Sequence, residues 1–136
     1  MTPEAMAAIH AASFTTPRPW SAADIAATLD SRFAFLLTET DGFLIGRCVA
    51  GEAEILTLAV APSARQKGIG GRLVEAFFSA AQARGAESAF LEVSAANLPA
   101  QALYLAKGFE AQGKRAGYYQ TPEGARLDAL VMVRRI

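Results

Sequence analysis

The chain has 136 residues, enough for one domain with a proper core, and its 52% hydrophobic and 19% charged content excludes a disordered chain. Thirteen cations balance thirteen anions with no basic block, which argues against duplex nucleic acid as a partner, where many phosphates must be neutralised. No apolar run approaches the roughly 20 residues of a membrane span, and Glu4 follows no basic segment of the kind that opens a signal peptide. A soluble, cytoplasmic protein is expected.

Pro3 to Ser13 reads as a short helix with Met6, Ile9 and Phe14 on its buried side. Its histidine, His10, reads as a packed helix residue rather than a catalytic one. A turn-rich segment, Thr15 to Trp20, follows. Ser21-Ala22-Ala23-Asp24 has the form of a capping box and opens a second helix through Leu29. Phe33 to Thr40 is a predicted strand, Asp41-Gly42 a hairpin turn, and Phe43 to Ala50 the returning strand. Cys48, the one cysteine, lies in that strand and reads as a small buried hydrophobe; with a single histidine beside it, no metal site is expected. Gly51-Glu52 turns the chain into the strand Ala53 to Val60, so that three strands form an antiparallel meander.

A helix from Gly70 to Ala83 places Ile69, Leu73, Phe77, Ala80 and Ala81 on one face and Arg72, Glu75, Gln82 and Arg84 on the other. Gly85 ends it. Ser88 to Ser94 is a short strand, parallel to Ala53–Val60 if the crossover is right-handed. Asn97 or a neighbour starts a helix from Pro99 to Lys107, which Gly108 stops. Phe109 to Arg115 is a strand, a polar loop runs through Pro122-Glu123-Gly124, and Leu127 to Arg134 is the last strand. With no repeats and no linker, this is one α+β domain built on a mixed sheet.

Between the strand Ala53–Val60 and the following helix stands Arg65-Gln66-Lys67-Gly68-Ile69-Gly70-Gly71. A helix N-terminus offers free N–H groups and the positive end of its dipole, and glycines let an anion approach the backbone closely. The turn is neither a Walker A loop nor a dinucleotide turn, since it lacks Gly-Lys-Ser/Thr and its strand belongs to a meander. The plainer alternative is a surface turn with solvated cations. Gly71 costs up to ~1 kcal/mol in a first helical turn relative to alanine, a cost easier to understand if a ligand occupies the turn. Glu92 stands in an otherwise apolar strand, on the face opposite Leu91 and Val93. It is either an edge-of-core carboxylate paired with a cation or a functional acid.

The run Ile55-Leu56-Thr57-Leu58-Ala59-Val60-x-Pro62-x-x-Arg65-Gln66-x-Gly68-Ile69-Gly70 resembles the acetyl-CoA signature of the GNAT N-acetyltransferases. Phe90-Leu91-Glu92-Val93-x-x-x-Asn97, Ala102-Leu103-Tyr104-x-x-x-Gly108-Phe109, Tyr118-Tyr119 and Asp128-Ala129-Leu130-Val131-Met132 are similar to the RimI-type ribosomal-protein-alanine N-acetyltransferases within it. The likeness runs from about Ala8 to Met132. It implies the α/β/α-layered GNAT fold: a mixed, mostly antiparallel sheet with a V-shaped splay between two parallel central strands. The first N-terminal strand of many relatives is expected to be absent.

The resemblance also implies roles. Leu58, Ala59 and Val60 would pair through their backbone with the pantetheine arm of acetyl-CoA. Arg65, Gln66, Lys67, Gly68, Ile69, Gly70 and Gly71 would hold its pyrophosphate, and Asn97 would contact it from the far side. Glu92 would be the general base for the amine, and Tyr104 the general acid for the departing thiolate, unless Tyr104 is only an amphipathic tyrosine with a wet hydroxyl. Tyr118 and Tyr119, in a loop after the penultimate strand, would wall the acceptor groove, or else be surface or interface aromatics.

Departures from the family pattern fall at Ser94, Gly71 and Ala116-Gly117, partly around the acceptor. The implied activity is acetyl transfer to an amine by direct attack in a ternary complex, without metal; no cysteine near the motifs offers an acetyl-enzyme. The implied acceptor is a protein N-terminal α-amine, that of a ribosomal protein. The alternatives are a small-molecule amine, a lysine side chain, or a non-catalytic module that binds acyl-CoA or a partner. The presence of both Glu92 and Tyr104 counts against the last.

Overall fold

The computed structural model describes residues 1–13 and 19–136. Phe14 and the turn-rich stretch from Thr15 to Arg18 lie outside the described residues. The elements are α1 (Pro3–Ser13), α2 (Ala22–Leu29), β1 (Ala34–Glu39), β2 (Gly42–Val49), β3 (Glu52–Val60), a 3-10 turn (Pro62–Ala64), α3 (Ile69–Ala83), β4 (Ser88–Ser94), α4 (Leu98–Ala106), β5 (Glu110–Gln120) and β6 (Arg126–Arg135). The strands form one sheet in the order β1-β2-β3-β4-β6-β5. All neighbours are antiparallel except β3 and β4, which are parallel.

Local chemistry accounts for the helix boundaries. Ser21 accepts from the Asp24 N–H at 3.0 Å and the Asp24 carboxylate accepts from the Ser21 N–H at 3.1 Å, the reciprocal box that fixes the start of α2. Gly68, left-handed at φ 78°, begins α3. At its far end Gly85 is left-handed too, and its N–H and that of Ala86 close on Gln82 and Ala81 carbonyls.

Two cores sandwich the sheet. On one face α3 buries Leu73, Val74, Phe77 and Ala81 against Phe35, Leu44, Ile55 and Leu91. The expected α3 face is therefore correct, widened by Val74 and Phe78. Each large side chain removed from water there is worth about 1.5–3 kcal/mol. On the other face Met6 of α1 and Ile25 of α2 close over Phe43, Ile45 and Ala59.

The sheet opens at its middle. β3 pairs with β4 only from Glu52↔Ser88 to Ile55↔Leu91. At that point the β2–β3 register shifts: Gly46 faces Ile55 while Ile45 faces Thr57, leaving Leu56 as an extra residue. Such a bulge bends its strand and increases its twist. It also exchanges the faces of β3, so that Ile55 joins the α3 core but Thr57 and Ala59 turn to α1. β3 thus swings away from β4 beyond Ile55. Nothing in the alternation of Ala53–Val60 announces the bulge.

Three expectations need correction. The turn into β3 is Ala50-Gly51, both at positive φ, so Glu52 already belongs to the strand. The first hairpin turn is Thr40-Asp41, not Asp41-Gly42, since Gly42 already pairs with Glu39 in the ladder. β5 does not stop at Arg115: it shifts register between Arg115 and Tyr119 and runs on to Gln120. Tyr118 and Tyr119 accordingly lie in the strand, not in the loop after it. The stretch from Gly113 to Gly117 lacks β-branched residues, and its pairing comes from β6 instead of local propensity.

Candidate active site

A cavity of about 610 Å³ occupies the gap where β3 and β4 part, a size ordinary for a small-ligand site. Its walls come from both faces of the sheet. From the α3 side come Arg65, Gln66, Gly68 to Gly71, and Ala100, Leu103 and Tyr104 of α4. From the α1 side come His10, Ser13, Trp20 and Thr57, with Glu92 and Tyr119 near them. Leu58, Ala59, Val60 and Asn97 line it as well, whereas Lys67 and Tyr118 do not. Cys48 is buried elsewhere, its thiol 3.9 Å from the Arg84 carbonyl oxygen.

The loop before α3 presents a row of free backbone donors. Among the described residues, the backbone N–H groups of Gln66, Lys67, Gly68, Ile69, Gly70 and Gly71 donate to no partner, and the helix ladder first closes with Arg72 N–H to the Gly68 carbonyl. Gln66 is itself left-handed at φ 63°. For a non-glycine residue this is costly, and such strain collects at ligand clamps. The glycines divide the work. Gly68 supplies the positive φ, while a Cβ on Gly70 would stand 3.2 Å from Leu103 Cδ2 and one on Gly71 3.3 Å from Lys107 Cε. At the last two positions the side chains of Leu103 in α4 and of Lys107 at its C-cap approach closely.

Arg72 sets the loop's position, a role its place on the exposed face of α3 hid. Its Nε and Nη2 grip the Glu39 carboxylate at 2.8–3.0 Å, and Nη1 donates to the Lys67 carbonyl at 3.0 Å. The Arg72 hydrogen bonds hold the Glu39 carboxyl below the usual carboxylate range. Arg65 folds back, with Nε 3.4 Å from the Val60 carbonyl oxygen, which also accepts from Ser13 Oγ at 3.2 Å. Asn97 Oδ1 caps α4 by accepting the Ala100 N–H at 3.2 Å. Gln101 reaches back from α4 to the carbonyls of Ser94 and Ala95, fixing the helix to the end of β4.

The two candidate proton carriers stand on opposite sides of the opening. Leu91 and Val93 point into the α3 core, so Glu92 faces the other way, as strand alternation requires. Its Oε1 lies 3.3 Å from Arg115 Nη2 of β5. Tyr104 belongs to the α3 core, 7% exposed and edge-on to Phe109. Its hydroxyl makes no hydrogen bond among the described residues, and burial pushes its pKa well up, so it keeps its proton at neutral pH. Tyr119 sits beside Glu92. Burial first, then the Glu92 and Tyr118 charges, push its hydroxyl up to about 12. Tyr118 is exposed, stacked edge-on against Tyr119 and beneath the Arg115 guanidinium.

His10 proves to be packed, as expected, but also part of the wall. Its Nδ1 accepts the Trp20 N–H at 3.1 Å, so the ring proton sits on Nε2, 3.0 Å from Thr57 Oγ1. Burial lowers its pKa to about 4, and it stacks on the Trp20 ring. No cluster of three potential metal ligands occurs among the described residues, and no helix there is long and apolar enough to cross a membrane.

Comparison with known proteins agrees with this geometry. The model of the Acetyltransferase (GNAT) family matches residues 4–109. The chain is 34% identical over 135 residues to the [ribosomal protein bS18]-alanine N-acetyltransferase of Escherichia coli (strain K12), covering 96% of this chain and 90% of that one. It is 34% identical over 118 residues to the protein of the same description from Haemophilus ducreyi, covering 84% and 81%. The crystal structure of the ribosomal-protein-S18-alanine N-acetyltransferase from Escherichia coli superposes with a TM-score of 0.86 at 31% identity, covering 98% of this chain and 87% of that one. A free N–H row before α3, a splayed parallel pair of strands and this family match lead to one conclusion: the chain is an N-acetyltransferase belonging to the GNAT family.

Proposed function

We propose that the protein transfers the acetyl group of acetyl-CoA to a protein N-terminal α-amine, that of a ribosomal protein. One observation carries the reading: a carboxylate, Glu92, and a protonated phenol, Tyr104, face a single cavity from opposite sides of the sheet, below a row of unpaired N–H groups. The similarity of nearly the whole chain to bS18-alanine N-acetyltransferases supports the acceptor.

In this reading acetyl-CoA supplies an activated acetyl carbon. The N–H groups of Gln66 to Gly71 hold its pyrophosphate, with Arg65 adding charge. The backbone of Leu58 to Val60 has no β4 partner beyond Ile55 and, apart from the Val60 carbonyl that Ser13 and Arg65 occupy, is available on that edge to pair with the pantetheine arm. Asn97, its oxygen engaged as a cap, retains its amide N–H groups as donors toward the cavity.

Glu92 accepts a proton from the acceptor ammonium, directly or through water. The freed nitrogen pair attacks the acetyl carbon and forms the C–N bond, the C–S bond breaks, and Tyr104 gives its proton to the sulfur; the second proton that the nitrogen sheds on becoming an amide passes through water and restores the Tyr104 phenol. Arg115 is more than half exposed in its pair with Glu92. An ion pair of that kind is weak enough for the acceptor cation to displace. An α-amine, with a pKa of roughly 7.7–8.0 against about 10.4 for lysine, gives up its proton more readily to a carboxylate near neutral pH. Tyr119 and Trp20 form the aromatic surround of the incoming chain.

The test mixes the protein with acetyl-CoA and a panel of N-terminal peptides, polyamines and amino acids, and follows thiol release. Turnover with alanine-initiated peptides alone is the expected result. Turnover only with polyamines or lysine peptides contradicts the acceptor. Turnover with none, while CoA still raises the melting temperature, makes the protein a binding module.

A further inference from the structure

The feature of β5 that the sequence did not announce is its bulge. Arg115 faces Ala129 and Tyr119 faces Leu127, so three residues (Ala116, Gly117 and Tyr118) stand opposite one, Asp128. Gly117 is left-handed at φ 61°. Two extra residues at about 3.3 Å each draw Tyr119 some ~7 Å back along the sheet toward the row of Glu92. In regular register Tyr119 would face Ala125, in the loop before β6, beyond the end of the ladder.

Asp128 anchors the bulge through its part-buried backbone donor, the Gly117 N–H. Asp128 Oδ1 accepts the Gly117 N–H at 2.9 Å, and its Oδ2 lies 3.5 Å from Lys114 Nζ. The Asp128 backbone carbonyl accepts the Ala95 N–H at 2.9 Å, just past β4. One residue thus joins the bulge of β5 to the end of the strand that carries Glu92. The Gly117 N–H, and secondarily Lys114, hold the Asp128 carboxyl below the usual carboxylate range. From outside, Arg126 Nη1 donates to the Gly117 carbonyl at 3.3 Å.

We propose that Asp128 is a positioning residue for the acceptor: it holds the β5 bulge that sets Tyr119 in the cavity wall beside Glu92. It touches no reacting atom and acts through Gly117 and Tyr119. The inference rests on the acceptor reading above, and its test has one arm that needs no turnover.

That arm measures amide hydrogen exchange at Gly117 and Tyr119 in the whole chain, for the wild type, Asp128→Ala and Asp128→Asn. The other arm measures KM for an alanine-initiated peptide and KM for acetyl-CoA. In Asp128→Ala, losing a hydrogen bond to a charged acceptor should cost Gly117 about tenfold or more in protection and raise the acceptor KM about tenfold, with the acetyl-CoA KM within about twofold. Asparagine keeps an oxygen for the Gly117 N–H, so Asp128→Asn should restore both readouts. Lys114→Ala, which removes only the ion pair, should change neither.

Unaltered Gly117 protection in Asp128→Ala overturns the clamp, even if no peptide is turned over by the wild type. Lost protection with an unchanged acceptor KM overturns the positioning role. A parallel rise of both KM values, global unfolding of Asp128→Ala, or failure of asparagine to rescue would each make Asp128 a general structural residue instead.

Discussion

Lowering the pH from 7.5 to 5.5 should destabilise the protein by about 1 kcal/mol through His10 alone. His10 is 1% exposed, and burial depresses its pKa from 6.5 to about 4 in the folded state. Below pH 6.5 the unfolded chain takes up a proton that the folded chain refuses, so stability falls as pH drops through the window between the two values. The full interval, at about 1.4 kcal/mol per pH unit, sets an upper bound of ~3 kcal/mol, reached only near pH 4. Because His10 lines the cavity, nearby solvent softens that bound. The loss by pH 5.5 is nearly indifferent to the softening, since any folded value below about 5 gives much the same figure. The pH 5.5 limit also stays above the range where ordinary carboxylates titrate. The assay is urea unfolding of the wild type and of His10→Gln at both pH values, where glutamine can still donate to Thr57 or accept from Trp20. The wild type should lose about 1 kcal/mol more than the variant. Equal losses would refute the buried, neutral histidine.

Three further outcomes are expected. Gly46→Ala would place a Cβ 2.5 Å from Phe35 Cζ, and Phe35 is backed by Phe77, so urea melts should show a loss of roughly 1–3 kcal/mol without a change in m. Gly68→Ala should cost about 1–2 kcal/mol at φ 78° and weaken CoA binding by calorimetry, while Gly68→Asn, which tolerates that conformation better, should cost less. Arg72→Ala should leave the melting temperature nearly unchanged, because its pair with Glu39 is exposed. It should still raise the Kd for CoA severalfold by releasing the loop before α3.

Much of this site was legible in the sequence because it follows from short-range rules. Strand alternation put Glu92 opposite Leu91 and Val93, helical period gave the buried stripe of α3, and the Ser21–Asp24 box and the glycine at 85 marked helix ends. The turn at Arg65–Gly71 was legible as a set of free N–H groups at a helix start, although the close approach of the Leu103 and Lys107 side chains to Gly70 and Gly71 was not. What stayed hidden depends on partners distant in the chain. The Leu56 bulge is visible only in the register with β2, and the Arg72 grip needs Glu39, 33 residues away. Tyr119 was misplaced into a loop because the strand around it is held by β6 and Asp128 rather than by its own residues. The wall contributed by His10 and Trp20 depends on how α1 lies across β3, which no local pattern specifies.

The most direct measurement is the rate of acetyl transfer to an alanine-initiated peptide by Glu92→Gln, alongside the rise in melting temperature that CoA produces in that variant. General-base catalysis typically contributes about 100-fold or more, so the rate should fall at least that far while the CoA-induced rise matches that of the wild type. An unchanged rate would remove Glu92 as the base. A rate lost together with CoA binding would mean that Glu92 serves the donor's seat and not the proton of the amine.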